Sequence, residues 1–209
     1  KVEVERDHYC AGLRQYWEGV EGFHENGFIE LHFYSEIIPG YFWMFPLPNG
    51  RANIGIGMLS KAVSENKVDL KKHMEYLINE HPTVSPRFAN AKPLEKVRGW
   101  GLPIGSKKRT LSGDHFLLLG DAASVIDPAT GEGIGNAIRT GRVAADIVME
   151  KLPKEETKAR ELAAYDKEVY RRMWKELYLS RRVQRLLRFP WLLNFVVRKA
   201  NSNPAVKQG

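Results

Sequence analysis

A mixed α+β fold is expected for this chain of 209 residues, on three observations. Strand-like, aromatic-rich segments fill the first third. An amphipathic helical stretch follows them. From residue 115 onward the order reads strand, loop, helix, helix, so sheet and helices are partly segregated along the chain. Residues 12–20 and 28–37 alternate loosely and are rich in Phe, Tyr, Val and Ile, with Asn26-Gly27 between them as a turn signal. That pattern predicts a β-hairpin. A third strand over about 51–59 follows Pro48-Asn49-Gly50. Residues 67–80 set Leu70, Met74, Leu77 and Ile78 at helical spacing, and Pro82 stops the helix. Further strands are expected near 93–102 and 115–120, helices over 132–151 and 156–187, and a shorter helix after Pro190. The expected organisation is an antiparallel sheet with one helix over 1–110, a strand–loop–helix element over 111–152, and a basic helical tail over 153–209.

A hydrophobic content of 43% with 27% charged residues is ordinary for a chain with a water-exposed surface and an apolar core. No stretch resembles a signal peptide, and no apolar run approaches the roughly 18 residues that span a bilayer. Cys10 stands alone, which rules out a disulfide framework and a cysteine metal site and points to a reducing, cytoplasmic compartment. His24, His32, His73, His81 and His115 have no metal-ligand spacing, so no metal site is read. Charge is unevenly placed. Residues 151–209 hold 15 Lys/Arg against 6 Asp/Glu, a net of +9 within a total of +7, which leaves −2 for residues 1–150. From Arg181 to Lys199 six basic residues mix with Leu, Phe, Trp and Val around Pro190. That composition suits a helix lying peripherally in an anionic membrane interface, and equally a helix packed on the body with its arginines in solvent. Nucleic acid is not expected as a partner, since no recognised binding module accompanies the charge.

The most informative segment is 117–137, an apolar run ending in Gly120-Asp121, a loop through Pro128, and a glycine cluster that opens a helix. It reads as a buried strand delivering a carboxylate, followed by a helix start stripped of side chains. Such a start presents unpaired N–H groups and a partial positive charge to an anionic or carbonyl-rich ligand. The carboxylate beside it can accept hydrogen bonds from ligand hydroxyls, so a polyhydroxylated cofactor with an electron-rich ring fits both demands. Nothing before residue 115 reads as the strand, Gly-x-Gly-x-x-Gly turn and helix of a dinucleotide-binding unit.

Residues 41–45 hold four aromatics, and in a strand Tyr41, Trp43 and Phe45 share one face. Such a face serves either as sheet core or as a rigid apolar wall for a ligand. Two motifs together give a resemblance. Gly120-Asp121-Ala-Ala, Pro128 and Gly131-x-Gly133 resemble the second flavin-binding motif of the FAD-dependent oxidoreductases that include aromatic hydroxylases. Tyr41-x-Trp43-x-Phe45-Pro46, followed after eight intervening residues by Gly55-x-Gly57, resembles the signature of the geranylgeranyl reductase family within that group. The resemblance covers about residues 10–150.

This resemblance implies part of a larger FAD-binding fold. Asp121 would bond the ribityl chain of FAD, Pro128 and Gly131 would shape the loop under the isoalloxazine, and backbone N–H groups near Gly133 and Ile134 would face the flavin N1/C2=O edge. Tyr41, Trp43 and Phe45 would line the cavity for a prenyl-lipid substrate whose C=C bonds are reduced by flavin hydride transfer. The electron donor would be NAD(P)H or reduced ferredoxin. No catalytic side chain is identified. The N-terminal portion that holds the adenosine and pyrophosphate is missing from this sequence, so the chain is expected to be a C-terminal portion that binds FAD weakly and is inactive alone. Alternative readings are a flavin monooxygenase or halogenase acting on an aromatic substrate, and a non-enzymatic lipid-binding or interaction module. A quinone-reducing electron-transfer flavoprotein is disfavoured, because one cysteine cannot ligate a cluster.

Overall fold

The computed structural model describes residues 5–202, except the side chains at 190, 193, 196, 197 and 200. The chain forms two compact units that divide between Gly101 and Leu102. In the first, strands β1 (Tyr9–Glu18), β2 (Glu30–His32), β3 (Gly40–Leu47) and β4 (Arg51–Leu59) precede helices α1 (Ser60–Glu65) and α2 (Leu70–Asn79). The short β5 (Lys92–Pro93) and β6 (Arg98–Pro103) then return to the sheet. Strand order is β2-β3-β4-β1-β5, with β6 also paired to β1. The pairings along that order are antiparallel.

The expected hairpin between 12–20 and 28–37 does not form. The Asn26-Gly27 turn exists, with Gly27 N–H donating to the His24 carbonyl at 2.8 Å, but β1 pairs instead with β4 from Cys10–Leu59 through Glu18–Arg51. The longer register satisfies nine consecutive residue pairs, whereas β2 keeps three residues at the sheet edge on β3. Phe28, Ile29, Leu31 and Phe33 in that segment are exposed, so their alternation does not report a buried face. The hairpin that does form joins β3 to β4 through Pro48-Asn49-Gly50, where Asn49 (φ 63°) and Gly50 (φ 67°) turn the chain.

One sheet face is the core of this unit. Phe42 and Met44 from β3 and Ile54, Ile56 and Met58 from β4 are fully or almost fully buried. Helix α2 lies against β4 and contributes Leu70, Met74, Leu77 and Ile78, all buried, as the sequence spacing requires. Each such side chain contributes about 1.5–3 kcal/mol. Asp69 sets where α2 begins, because its Oδ1 accepts from the N–H groups of Lys71 and Lys72, both at 3.1 Å. Helix α1 was not legible in the sequence. At the sheet edge, the Arg87 guanidinium grips both oxygens of Glu30 and holds β2 to the turn Ser85–Phe88. Burial raises the Glu30 pKa, but Arg87 and His32 together outweigh it and leave the carboxyl below its ordinary value.

His73 lies on α2 with its Nε2 buried and without a hydrogen-bond partner. Burial pulls its pKa below the ordinary 6.5; Glu36 opposes the shift and His81 adds to it. The unfolded chain therefore binds this proton more readily than the folded one. Stability contributed by the neutral ring is present above 6.5 and falls as pH drops from there through the folded value. Urea titrations between pH 7.5 and 5.5 are expected to show His73→Gln losing less stability on acidification than the unaltered chain. Equal losses would remove His73 from this account.

The second unit contains β7 (Ser112–Gly113), β8 (Phe116–Leu117), α3 (Ile134–Lys151), α4 (Ala159–Leu186) and α5 (Pro190–Ser202). Leu162, Tyr165, Val169, Met173 and Leu177 recur along one stripe of α4 and pack with Val143, Ala144 and Ile147 of α3, and with Leu111, Ala123 and Val125. The tail's long helix thus belongs to the core of this unit. The fully buried Tyr165 hydroxyl donates to the Leu118 carbonyl at 2.7 Å, and burial, then Asp166 and Tyr170, push its pKa up to about 12. It therefore remains a protonated donor. Asp166 accepts the Leu111 N–H at 2.8 Å. These bonds fix the segment that leads into Gly120-Asp121.

The buried strand expected at 115–120 is a correction. Among the described residues β8 pairs only with β7, and Phe116 and Leu119 are 51% and 38% exposed. An apolar run alone does not specify burial; it needs a covering element.

Candidate functional site

A cleft of about 580 Å³ in the second unit is lined by Leu102, Leu119, Gly120, Asp121, Ala122, Ile126, Gly131, Gly133, Ile134 and Ala137. It thus gathers Asp121, Gly131, Gly133 and Ile134, four of the five residues singled out for cofactor binding. Pro128 is buried beneath the loop instead, and its carbonyl accepts from Gln184 Nε2.

The cleft is shaped from below. Gly120 has a left-handed φ of 53°, and a Cβ there would meet the Ala137 Cβ at 3.0 Å. Its N–H donates to the buried Thr140 Oγ at 3.0 Å. That places Asp121, itself exposed, in the 3-10 turn Gly120–Ala123, whose two ends are buried. Gly133 is the N-cap of α3. A Cβ on Gly133 would come within 3.1 Å of Asp121 Oδ1 and 3.2 Å of Ile126 Cγ1. The carboxylate therefore lies against the glycine-opened start of a helix 18 residues long.

One feature departs from the sequence reading. The helix start is not stripped of side chains, because Glu132 Oε1 folds back to accept the Gly135 N–H at 2.6 Å. An acid two residues before the helix competes for the orphan donors, as acids near N-termini do. Gly133 and Ile134 nonetheless both line the cleft, and Ile134 is 77% exposed at its mouth.

The loop from 127 to 131 is pinned by groups the sequence reading did not single out. Asp127 Oδ1 accepts from Ala129 N–H at 3.0 Å, Thr130 N–H at 2.9 Å and Ser180 Oγ at 2.6 Å. Asn136 Nδ2 donates to the Val125 carbonyl at 2.7 Å. Asn136 and Thr140 sit four residues apart on α3, as do Ser180 and Gln184 on α4. Asn136, Thr140 and Gln184 are buried. Polar residues at buried helical positions must find partners, and that interruption of an apolar stripe was the available signal.

In the first unit, Tyr41, Trp43 and Phe45 do share one face of β3, opposite the buried Phe42 and Met44, and all three are half-buried. Their rings form a row, with centroids 6.0 Å apart for Tyr41–Trp43 and 6.2 Å for Trp43–Phe45. Phe33 extends it at 6.0 Å from Tyr41. The register explains the spacing of the motif. Trp43 lies opposite Gly55 and Tyr41 opposite Gly57. A Cβ on Gly55 would stand 2.1 Å from Trp43 Cζ2 and 2.4 Å from the Leu13 carbonyl oxygen. The indole therefore lies flat over the β4 backbone, and Trp43 Nε1 donates to Asn53 Oδ1 at 3.0 Å.

Residues 9–100, which carry this aromatic row and its glycines, match the model of the geranylgeranyl reductase catalytic domain. The chain belongs to the geranylgeranyl reductase family. It is 34% identical over 137 residues to digeranylgeranylglycerophospholipid reductase 2 of Methanopyrus kandleri, covering 64% of this chain and 34% of that protein. It is 35% identical over 150 residues to the digeranylgeranylglycerophospholipid reductase of Methanosarcina acetivorans, covering 71% of this chain and 34% of that protein. The chain thus spans about a third of the length of these curated relatives. The crystal structure of a geranylgeranyl bacteriochlorophyll reductase-like protein from Thermoplasma acidophilum superposes with a TM-score of 0.77 at 25% identity, over 90% of this chain and 45% of that one. A flavin-dependent halogenase shares the fold, with a TM-score of 0.57 at 17% identity over 80% of this chain and 30% of that one.

Proposed function

We propose that this geranylgeranyl reductase family chain belongs to a longer FAD-dependent oxidoreductase that reduces C=C bonds in the prenyl chains of a lipid, and that it contributes the ribityl and ring side of the flavin site. The observation that carries this reading is the pairing of two features: a carboxylate set against a glycine-opened helix start, and an aromatic row matching the family signature. The relatives named for digeranylgeranylglycerophospholipid favour a glycerophospholipid bearing geranylgeranyl chains as the substrate.

The residues fit the cofactor. The space a Gly133 side chain would fill is kept open beside Asp121, and the donor set suits a polyol joined to an electron-rich ring. Asp121 would accept hydrogen bonds from the ribityl hydroxyls. Pro128 and Gly131 would hold the loop to the shape of the ring, with Asp127, Ser180 and Gln184 keeping that loop still. The start of α3 at Gly133 and Ile134 would stabilise negative charge on the N1/C2=O edge. When bound, reduced FAD supplies a hydride to one alkene carbon, and a proton completes the other. Tyr41, Trp43 and Phe45 would form an apolar wall that orders the prenyl chain and excludes water, at little cost in conformational freedom. A preceding dinucleotide-binding portion would hold the adenosine and pyrophosphate, and the electron donor would be NAD(P)H or a reduced ferredoxin.

The rival reading is halogenation or hydroxylation of an aromatic substrate, because halogenases share the fold. Incubating the whole protein with a geranylgeranyl glycerophospholipid and a chemical reductant under anaerobic conditions is expected to give lipid enriched by two hydrogens per double bond. Turnover that requires oxygen and an aromatic acceptor, with the lipid unchanged, would overturn the proposal.

A further inference from the structure

The exposed surface of the C-terminal helices forms a pattern that the flavin site does not use. Between Leu177 and Ser202 the chain has six basic residues and no acidic one. Arg181 is buried, and its guanidinium donates to Gln184. The other five, Arg182, Arg185, Arg188, Arg198 and Lys199, are exposed. Helix α4 has two distinct faces here. Met173, Leu177, Arg181 and Gln184 turn inward, whereas Leu179, Val183 and Leu186 are 61%, 41% and 49% exposed on the opposite side. Lys175 and Arg182 follow that outer apolar stripe along one side, with Arg185 beyond them, at the three- and four-residue spacing of neighbours on a helix.

The stripe continues through the connection. Leu187 and Phe189 N–H groups donate to the carbonyls of Val183 and Leu186, both at 3.0 Å, so α5 begins one tight turn after α4. Phe189, Trp191 and Phe195 are 51%, 69% and 55% exposed. Trp191, Phe195, Arg198 and Lys199 occupy positions i, i+4, i+7 and i+8, a single face of α5. Large aromatics in water beside uncompensated arginines are costly unless something covers them. Among the described residues no helix is long and apolar enough to cross a membrane, so the pattern is that of a segment lying on a surface rather than spanning it.

We propose that the outer face of α4 from Leu179 onward, together with the Trp191–Lys199 face of α5, docks on an anionic lipid bilayer. The apolar side chains would enter the interface, and the five exposed cations would lie against the headgroups. Charge complementarity selects this occupant. A protein partner or a second copy would have to supply a matching acidic surface, whereas anionic lipid offers negative charge along any line, beside an apolar layer that accepts Trp and Phe. The inference is independent of the flavin reading, because it uses no residue of the cleft or of the aromatic row. It goes beyond that reading by assigning where the protein works.

The test is co-sedimentation of the whole protein with phosphatidylcholine vesicles, with and without phosphatidylglycerol. Binding is expected only with phosphatidylglycerol present, and it should weaken as salt shortens the Debye length. The triple variant Arg182→Gln, Arg185→Gln, Arg188→Gln changes exposed side chains only. It is expected to lower the partition coefficient about fivefold per charge, roughly 100-fold in all. Trp191→Ala with Phe195→Ala should weaken binding while leaving the circular dichroism spectrum unchanged. Absence of binding to phosphatidylglycerol vesicles, or equal binding by the triple variant, would overturn the proposal. So would displacement from the vesicles by RNA or duplex DNA bound through the same arginines, or a dimer in solution that shields Trp191 from quencher.

Discussion

Asp121→Ala is expected to weaken FAD binding by the whole protein about tenfold to 100-fold while leaving the fold intact. The carboxylate is exposed in a 3-10 turn, and substitution of an exposed residue outside a buried network changes stability by no more than about 0.5 kcal/mol. On the proposed reading, the substitution would remove a charged acceptor for ribityl hydroxyls. Hydrogen bonds to a charged group contribute about 1.5–3 kcal/mol, and each 1.4 kcal/mol is about a factor of ten in affinity. Asp121→Asn keeps the shape and one acceptor oxygen, so its affinity should fall between the two. Calorimetric titration with FAD, paired with a urea denaturation curve, separates binding from folding. Unchanged affinity in Asp121→Ala would remove this residue from the cofactor site.

The second large effect concerns the aromatic row. Gly55→Ala is expected to destabilise the chain by about 3 kcal/mol, the upper end of the range for overpacking. The added methyl would meet Trp43 Cζ2 at 2.1 Å and the Leu13 carbonyl oxygen at 2.4 Å. The indole can move aside, but the β1 backbone is held by its register with β4. Trp43→Ala combined with Gly55→Ala should therefore restore only part of the loss. Two residues on, Gly57→Ala is expected to be neutral or stabilising. Its Cβ would stand 3.5 Å from Trp43 and 3.7 Å from the Ala11 oxygen, which is ordinary contact, and replacing glycine in a strand reduces the entropy lost on folding. Denaturation midpoints of the two variants measure this contrast. Equal effects at both positions would mean that the indole does not set the spacing.

The same pair of glycines shows what was legible in the sequence. The motif could be matched, and its three aromatics placed on one strand face, from spacing alone. Why eight residues separate Pro46 from the glycines was not readable, because it depends on cross-strand register, and period-two alternation does not name a strand's partner. The incorrect β1–β2 hairpin has the same origin. Asn26-Gly27 is a sound turn signal, but β1 gained more by pairing with β4, and only the folded sheet reveals that competition. Helix α2 was legible because its apolar spacing and a stop at Pro82 agree. The candidate site was half legible. Asp121, Gly131, Gly133 and Ile134 line one cleft, whereas Glu132 capping the Gly135 N–H and the supports Thr140, Asn136, Ser180 and Gln184 depend on which helix faces meet. The apolar run before Gly120 suggested a buried strand, yet burial is a property of the elements around a run, not of the run itself.

A helix start paired with Asp121 that serves alkene reduction in a prenyl lipid must couple flavin oxidation to the loss of a double bond. The most direct test is a single turnover. The whole protein, reduced anaerobically and freed of excess reductant, would be mixed with a geranylgeranyl glycerophospholipid while flavin absorbance and lipid mass are followed together. The flavin is expected to reoxidise, and one C=C bond to gain two hydrogens for each flavin. Reduced flavin that persists beside unchanged lipid, then reoxidises only when oxygen is admitted, would contradict it.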